Sequence, residues 1–379
     1  MLKDYAKRIG SLWLLFFTFN LFASEKADLL LVAYDQGESN AFIQLESVLK
    51  ENGVSYRILA FGRAEEIFQH HPQRLLLSTD LPKDLKTNRI LPLSAKILKE
   101  LQNQYSFQII YSGMASAAQA QVLNLYKDVS TKTIAFYDNF EPVEKKNYVL
   151  SFLKTLDHVD EFHVAGKVTA DSFSVIAQEK HANVVVTGQP ALEAWDKIYK
   201  TTEPEKIRSV LKLNPNDRVA LFAGGYDSTY PQYLRTYILG CKQLSSYQCL
   251  ITYHPKTDGS LERSEVKKLQ ASNVRVISGK GFSTTQLSII ASVIAVHKST
   301  ISVMAAYKGK PVLYIAEPEF SNFLITQGLA ELASTPKDVA KSVQSLSQKK
   351  SSSPSLFPEQ KASDFIVRLI KKKLLLIQQ

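Results

Sequence analysis

Few residues in this chain are of the kind that build metal centres or disulfide scaffolds. Cysteine occurs twice in 379 residues, at Cys241 and Cys249. Two cysteines make no disulfide framework, although one bridge between them stays open in an oxidising compartment. No CxxC or HxxxH spacing occurs, so no metal site is expected. No stretch interleaves Lys or Arg with stacking aromatics, which argues against a nucleic-acid surface. Beyond the first 24 residues no apolar run approaches the ~20 residues that a spanning helix needs. What remains is ordinary for a soluble globular protein: 45% hydrophobic and 22% charged residues. The length suffices for two domains with separate cores. Lys and Arg number 46 against 36 Asp and Glu, a formal net charge of +10. That sign suits anionic partners such as nucleotides, phosphates or a membrane surface without choosing among them.

The N-terminus carries a targeting pattern. Lys3, Lys7 and Arg8 precede the apolar run IGSLWLLFFTFNLFA, which closes on Ala23-Ser24. Positive flank, short apolar segment and small residues match a secretory signal peptide over 1–24. Leu21 is large for the position before a cleavage site, so an uncleaved N-terminal anchor is the rival reading. The expected location is therefore exported, periplasmic or membrane-associated through this segment.

After it the chain alternates strands and helices. ADLLLVAYDQGESN reads as a buried strand with a polar exit, and AFIQLESVLKENG has helical spacing up to Gly53. VSYRILAFG, RLLLST, FQIIYSG and KTIAFYDN are further apolar runs closed by polar or small residues. EFHVAG, ANVVVTGQP, RVALFAGG, CLITYHPK, VRVISG, VIAVHKST and PVLYIAEP continue the rhythm. Such alternation implies parallel sheets covered by helices on both faces. The expected fold class is α/β, with two Rossmann-like doubly wound domains facing a cleft. The expected divisions are 25–195 for an N-terminal acceptor domain and 196–345 for a C-terminal donor-nucleotide domain. Residues 346–379 would form a Ser/Pro-rich linker and a helix capped at Ser363 or Asp364. That helix carries Lys371–Lys373 and reads either as packing on a domain or as touching anionic lipid.

Open α/β sheets bind ligands at the carboxyl ends of their strands, which makes the strand exits the candidate site. Gly224-Gly225 closes RVALFAGG, where absent Cβ atoms would admit a phosphate to backbone N–H groups or simply form a tight turn. His254 precedes Pro255, which ends its strand; the imidazole suits a phosphate or a leaving group, and a surface-loop role stays open. Ser299 and Thr300 stand where a helix starts behind VIAV, able to cap it and to face an anion. Asp138 leaves KTIAFY as a candidate base, or else as a solvated loop acid. Asp35 and Glu38 leave the first strand, and Ser112-Gly113 open a small-residue helix; these are candidate substrate or acceptor contacts.

Together these stretches resemble the GT-B superfamily of glycosyltransferases, and within it UDP-N-acetylglucosamine 2-epimerase-like proteins, bacterial sialyltransferases and CDP-glycerol transferases. VTGQPALEAW at 186–195 is similar to the family's segment closing the first domain. His254-Pro255 resembles its HP motif, Ser299-Thr300 its donor-phosphate Ser/Thr motif, and AAYKGKPVLYI its small-x-x-G-K-P ending. The resemblance implies a nucleotide-sugar donor as substrate rather than a cofactor, and a glycan or lipid-linked acceptor at the cell envelope. His254, Ser299 and Thr300 would hold donor phosphates, and Asp138 lies where transferases place their catalytic residue. FYDNFEP departs from their acidic motif, and Met304 and Ala305 stand where epimerases carry a Glu. A metal-independent glycosyltransferase is thus expected ahead of an epimerase. An exported chain would be parted from a cytoplasmic donor, which keeps a non-catalytic binding module on the same fold as the alternative.

Overall fold

The computed structural model describes residues 25–379 apart from 85–89, 128–129, 146, 255, 279–280, 350–356, 359 and 378. Residues 1–24, where a targeting segment is expected, Pro255 and most of the Ser/Pro-rich linker lie outside the described residues.

The first sheet contains β1 (Glu25–Ala33), β2 (Tyr56–Ala60), β3 (Tyr105–Gly113), β4 (Lys132–Tyr137), β5 (Glu161–Val164) and β6 (Asn183–Val186). They lie in the order β2-β1-β3-β4-β5-β6, and every pairing is parallel. The second sheet contains β7 (Arg218–Ala223), β8 (Tyr247–Thr252), β9 (Val274–Ile277), β10 (Val293–Val296), β11 (Val312–Ile315) and β12 (Ala330–Ala333). Its order is β12-β11-β10-β7-β8-β9, again all parallel. Helices connect successive strands, so each unit is a Rossmann-like doubly wound α/β domain. β1 shows why the apolar runs were readable. Leu30 and Val32 enter one core, while Leu29, Leu31 and Ala33 enter the other. A strand buried on both faces has no polar alternation, which leaves an unbroken apolar run.

The structure departs from the sequence reading in several places. RLLLST is no strand: Arg74 makes only an isolated bridge to Ile58, and Leu76 is 71% exposed. The run flanks the edge strand β2 and finds no second partner. β12 escaped the sequence reading because AELA is neither β-branched nor aromatic; it is fixed by pairing to β11. The domain boundary falls at 191/192 rather than 195/196, and residues from Gln360 onward return to the first unit. Ala191 joins the first unit's core, whereas Asp196 accepts from Tyr307 and Lys308 of the second. The C-terminal helix spans Ala362–Ile377, so Ser363 lies inside it and buried. Ile366, Val367, Ile370 and Leu374 pack into the first unit's core, and Lys373 pairs with Glu161. Burial alone would raise Glu161, but His163 and Lys373 more than reverse that and hold it at about 2.

Cys241 and Cys249 are buried free thiols in the second core, so no bridge joins them. In the same core the helix Tyr230–Cys241 crosses the helix Pro336–Leu346 at Gly240. A Cβ there would lie 2.6 Å from Val339 Cβ and 2.8 Å from the Pro336 carbonyl oxygen. Gly240→Ala should therefore destabilise the chain by about 1–3 kcal/mol through overpacking, against the roughly 1 kcal/mol that Ala gains over Gly in an open helix. Urea unfolding reads the sign directly.

Candidate functional site

Each sheet reverses its winding once. In the first unit the reversal lies between β1 and β3, and in the second between β7 and β10. Loops leave such a point in opposite directions and open a crevice at the carboxyl edge. All ten candidate residues leave strands at the carboxyl edge of their own sheet.

In the first unit, Asp35 is the N-cap of the helix Gln36–Glu51, and Glu38 completes a capping box. Glu38 does more than cap. One of its carboxylate oxygens accepts from Tyr34 N–H at 2.8 Å and Gln119 Nε2 at 2.9 Å. The other accepts from Met114 N–H at 2.7 Å and Ala115 N–H at 3.1 Å. Glu38 is 2% exposed, so this expected substrate contact is instead a buried tie between the exits of β1 and β3. Ser112 and Gly113 are corrected likewise. Ser112 is fully buried and its hydroxyl donates to the Gly113 carbonyl. Gly113 lies directly against the Glu38 carboxyl, where a Cβ would collide.

Asp35 and Asp138 remain half-buried at this edge. Gln189, from the VTGQP segment, donates to the Asp138 carbonyl at 2.6 Å. A Cβ on Gly37 would overlap Asp138 Oδ2, so the carboxyl reaches the start of the helix Gln36–Glu51. Burial, then the charges of Asp35 and Asp138, push Glu38 well above the usual carboxylate range. Burial also raises Asp35 against the pull of backbone N–H groups at Glu38 and Gly37. Tyr148 stands beside them, its hydroxyl raised by burial and by Asp138. Crowded like charges at a sheet edge cost stability and are a mark of functional sites.

In the second unit the paired glycines are structural. Gly224 N–H donates to the Thr252 carbonyl at 2.8 Å, so it is not offered to a phosphate. Gly225 lies against Tyr230, whose hydroxyl donates to Glu262 at 2.9 Å. A Cβ on Gly225 would sit 2.9 Å from the Tyr230 ring. Absent side chains here admit Tyr230 rather than a ligand.

His254, Ser299 and Thr300 keep outward-facing positions. His254 is half-buried after β8, and its Nδ1 accepts from Lys256 N–H at 3.1 Å. Burial and the nearby Lys256 hold it below the usual imidazole value, so it is neutral at pH 7. Tyr226 lies against its ring with centroids 4.2 Å apart, and Lys256 Nζ sits 4.7 Å from the centre of the Tyr226 ring. Ser299 Oγ accepts from Ile301 N–H at 3.3 Å, the capping role expected of it. Thr300 is the N-cap position of the helix Ile301–Tyr307, but its side chain makes no capping bond and is exposed. His254 follows β8 and Ser299 follows β10, on either side of β7, a separation of about 10 Å by strand spacing.

Beside them lies a cluster whose partners sequence reasoning missed, although VIAVHKST shows its histidine at a strand exit. His297 is 1% exposed; its Nδ1–H donates to the Ile315 carbonyl at 2.7 Å. Its Nε2 is 2.9 Å from Thr229 Oγ1 and 3.4 Å from Asp227 Oδ1. Asp227 also accepts from the backbone N–H groups of Thr229 and Tyr230. Burial alone would raise Asp227, but the Thr229 contacts and His297 reverse this and lower it. For Asp227 and Thr229 the only signal was GGYDST itself, which reads equally well as a turn.

No protein-family model matches the chain, and no curated protein sequence does. Solved structures do. A UDP-GlcNAc 2-epimerase from Neisseria meningitidis bound to UDP-GlcNAc is 12% identical, with TM-score 0.62, covering 92% of this chain and 100% of its own. The UDP-GlcNAc 2-epimerase of Methanocaldococcus jannaschii is 13% identical, with TM-score 0.64 over 92% and 100%. A glycosyltransferase from Rickettsia africae is 13% identical, with TM-score 0.56 over 93% and 94%. At these identities the likeness is one of fold. The chain has the GT-B, UDP-GlcNAc 2-epimerase-like fold of two Rossmann-like domains.

Proposed function

We propose that this chain is a nucleotide-sugar enzyme, and within that class a metal-independent glycosyltransferase acting on an envelope or surface glycan. One observation carries the reading. At the carboxyl edge of each sheet, buried polar side chains pin the loops while a few reactive groups stay half-buried or exposed. The set is acidic in the first unit, at the half-buried Asp35 and Asp138. In the second unit it is His254, Ser299 and Thr300, with Lys256 beside them. Neighbours of the same fold include one bound to UDP-GlcNAc, which supports a UDP-sugar as the first donor to test.

In this reading His254 and the two hydroxyls hold the donor's diphosphate. Neutral His254 donates a hydrogen bond through Nε2, since Nδ1 already accepts from Lys256 N–H. An acceptor hydroxyl attacks the anomeric carbon and gives its proton to a carboxylate base, for which Asp138 is the candidate. The bond from that carbon to the diphosphate oxygen breaks, and the departing charge is met by the same donors.

His254→Ala should weaken UDP binding about tenfold, the loss of one hydrogen bond to a charged group. Isothermal titration checks this, and unchanged affinity in a folded variant counts against the assignment. Asp138→Asn should cut transfer roughly 10²–10⁴-fold with donor binding retained. The same change should stabilise the fold at pH 7 by about 1 kcal/mol. The sign follows from Glu38, whose folded-state pKa is raised. Its cost grows as pH climbs above the usual carboxylate range and vanishes below it, so the gain should disappear in acid. Urea unfolding at pH 7 and pH 4 measures it. Conversion of a nucleotide sugar without any acceptor would assign an epimerase instead.

A further inference from the structure

The two edges of the first sheet differ in character. The carboxyl edge carries Asp35, Glu38 and Asp138. The amino edge presents exposed lysines and leucines. The C-terminal helix Ala362–Ile377 reaches this edge, where Ile377 shares a depression with Lys26, Ser55 and Tyr105. Lys371 Nζ donates to Asn52 Oδ1 at 3.3 Å, at the point where the helix Gln36–Glu51 ends. Lys26, Lys371 and Lys372 are exposed. Leu375 and Leu376 are 60% and 61% exposed, although Ile366, Val367, Ile370 and Leu374 of the same helix are buried. The acids nearby are largely engaged: Glu25 by Arg57, Asp28 by Ser55, and Glu161 by Lys373. Glu51, where the helix Gln36–Glu51 ends, is exposed at this edge. The apolar sequence at 9–23 joins the fold at Glu25, on this same edge.

We propose that the amino edge of the first sheet rests on an anionic membrane surface. Lys26, Lys371 and Lys372 meet the lipid headgroups, and Leu375 and Leu376 enter the interface. Charge favours a lipid surface over a second copy of the chain, because this edge would meet its own positive charge in a dimer. A basic patch and one short apolar segment are each weak anchors, and together they make a stable one. Contact at this edge leaves the carboxyl edge free, whatever that edge binds.

The test uses the full chain, with vesicles of phosphatidylcholine alone or mixed with phosphatidylglycerol, at low and high salt. Binding should favour the mixed vesicles and fall with salt. Lys371→Glu with Lys372→Glu should weaken it by at least tenfold, since each lysine near such a surface is worth roughly fivefold. Leu375→Ser with Leu376→Ser should weaken it at both salts. Both pairs are exposed, so melting temperatures should match the parent and rule out misfolding as the cause. Equal binding to both vesicle types, or unaltered binding by the two double variants, overturns the assignment. A dimer that these substitutions break, with no vesicle preference, gives the face to a second copy and overturns it too.

Discussion

The carboxylate of Glu38 fixes how the first sheet opens. A parallel sheet that winds both ways must send adjacent strands into diverging loops, and the backbone groups there lose ladder partners. Glu38 accepts N–H groups from Tyr34 after β1 and from Met114 and Ala115 after β3. One side chain thus ties both exits. Gln119 supports it, donating to Glu38 and to the Val32 carbonyl while accepting from Ala115 and Ser116. The tie forces Gly113 to lack a side chain and sets buried Glu38 among the charges of Asp35 and Asp138. The second unit meets the same problem with different chemistry. His297 after β10 bonds Thr229 and Asp227 in the loop after β7, and the Ile315 carbonyl at the end of β11. Three strand exits are joined there by one imidazole.

This division of labour explains which residues stay available. Where a polar side chain at a strand exit is fully buried, its hydrogen bonds are already made within the protein. That applies to Ser112, Glu38 and His297, and to the N–H group of Gly224. Exposure with spare bonding capacity remains at His254 and Thr300, and in part at Ser299. The open groups are few, and rigid neighbours hold them. Binding sites built this way lose little entropy when a ligand arrives.

The fold was legible because its strands are buried on both faces. Runs such as LLLVA and IAFY carry no polar interruption, and each ends abruptly in a polar or small residue. Edge elements were not legible, since AELA draws its strand character from pairing with β11, and RLLLST has the right composition but no second partner. The site was legible at the level of place and less so at the level of role. A glycine pair after a strand serves a phosphate or a tyrosine ring equally well. Only packing shows that Tyr230 fills the space. A Glu three residues after an Asp reads as a capping box, and Glu38 is one. Nothing in the spacing shows that its oxygens also reach residues 114 and 115, some 76 positions away. Asp227 and His297, 70 positions apart by number, are brought together by the β7–β10 pairing, which no local pattern encodes.

Hydrogen–deuterium exchange with and without UDP tests the central claim most directly, because it reports every strand exit at once. If the winding reversal of the second sheet is where an anionic nucleotide is held, exchange should slow at residues 225–229, 252–254 and 298–303, with little change at the amino edges of either sheet. No slowing in those three segments at saturating UDP, or slowing confined to the opposite edge, would contradict it.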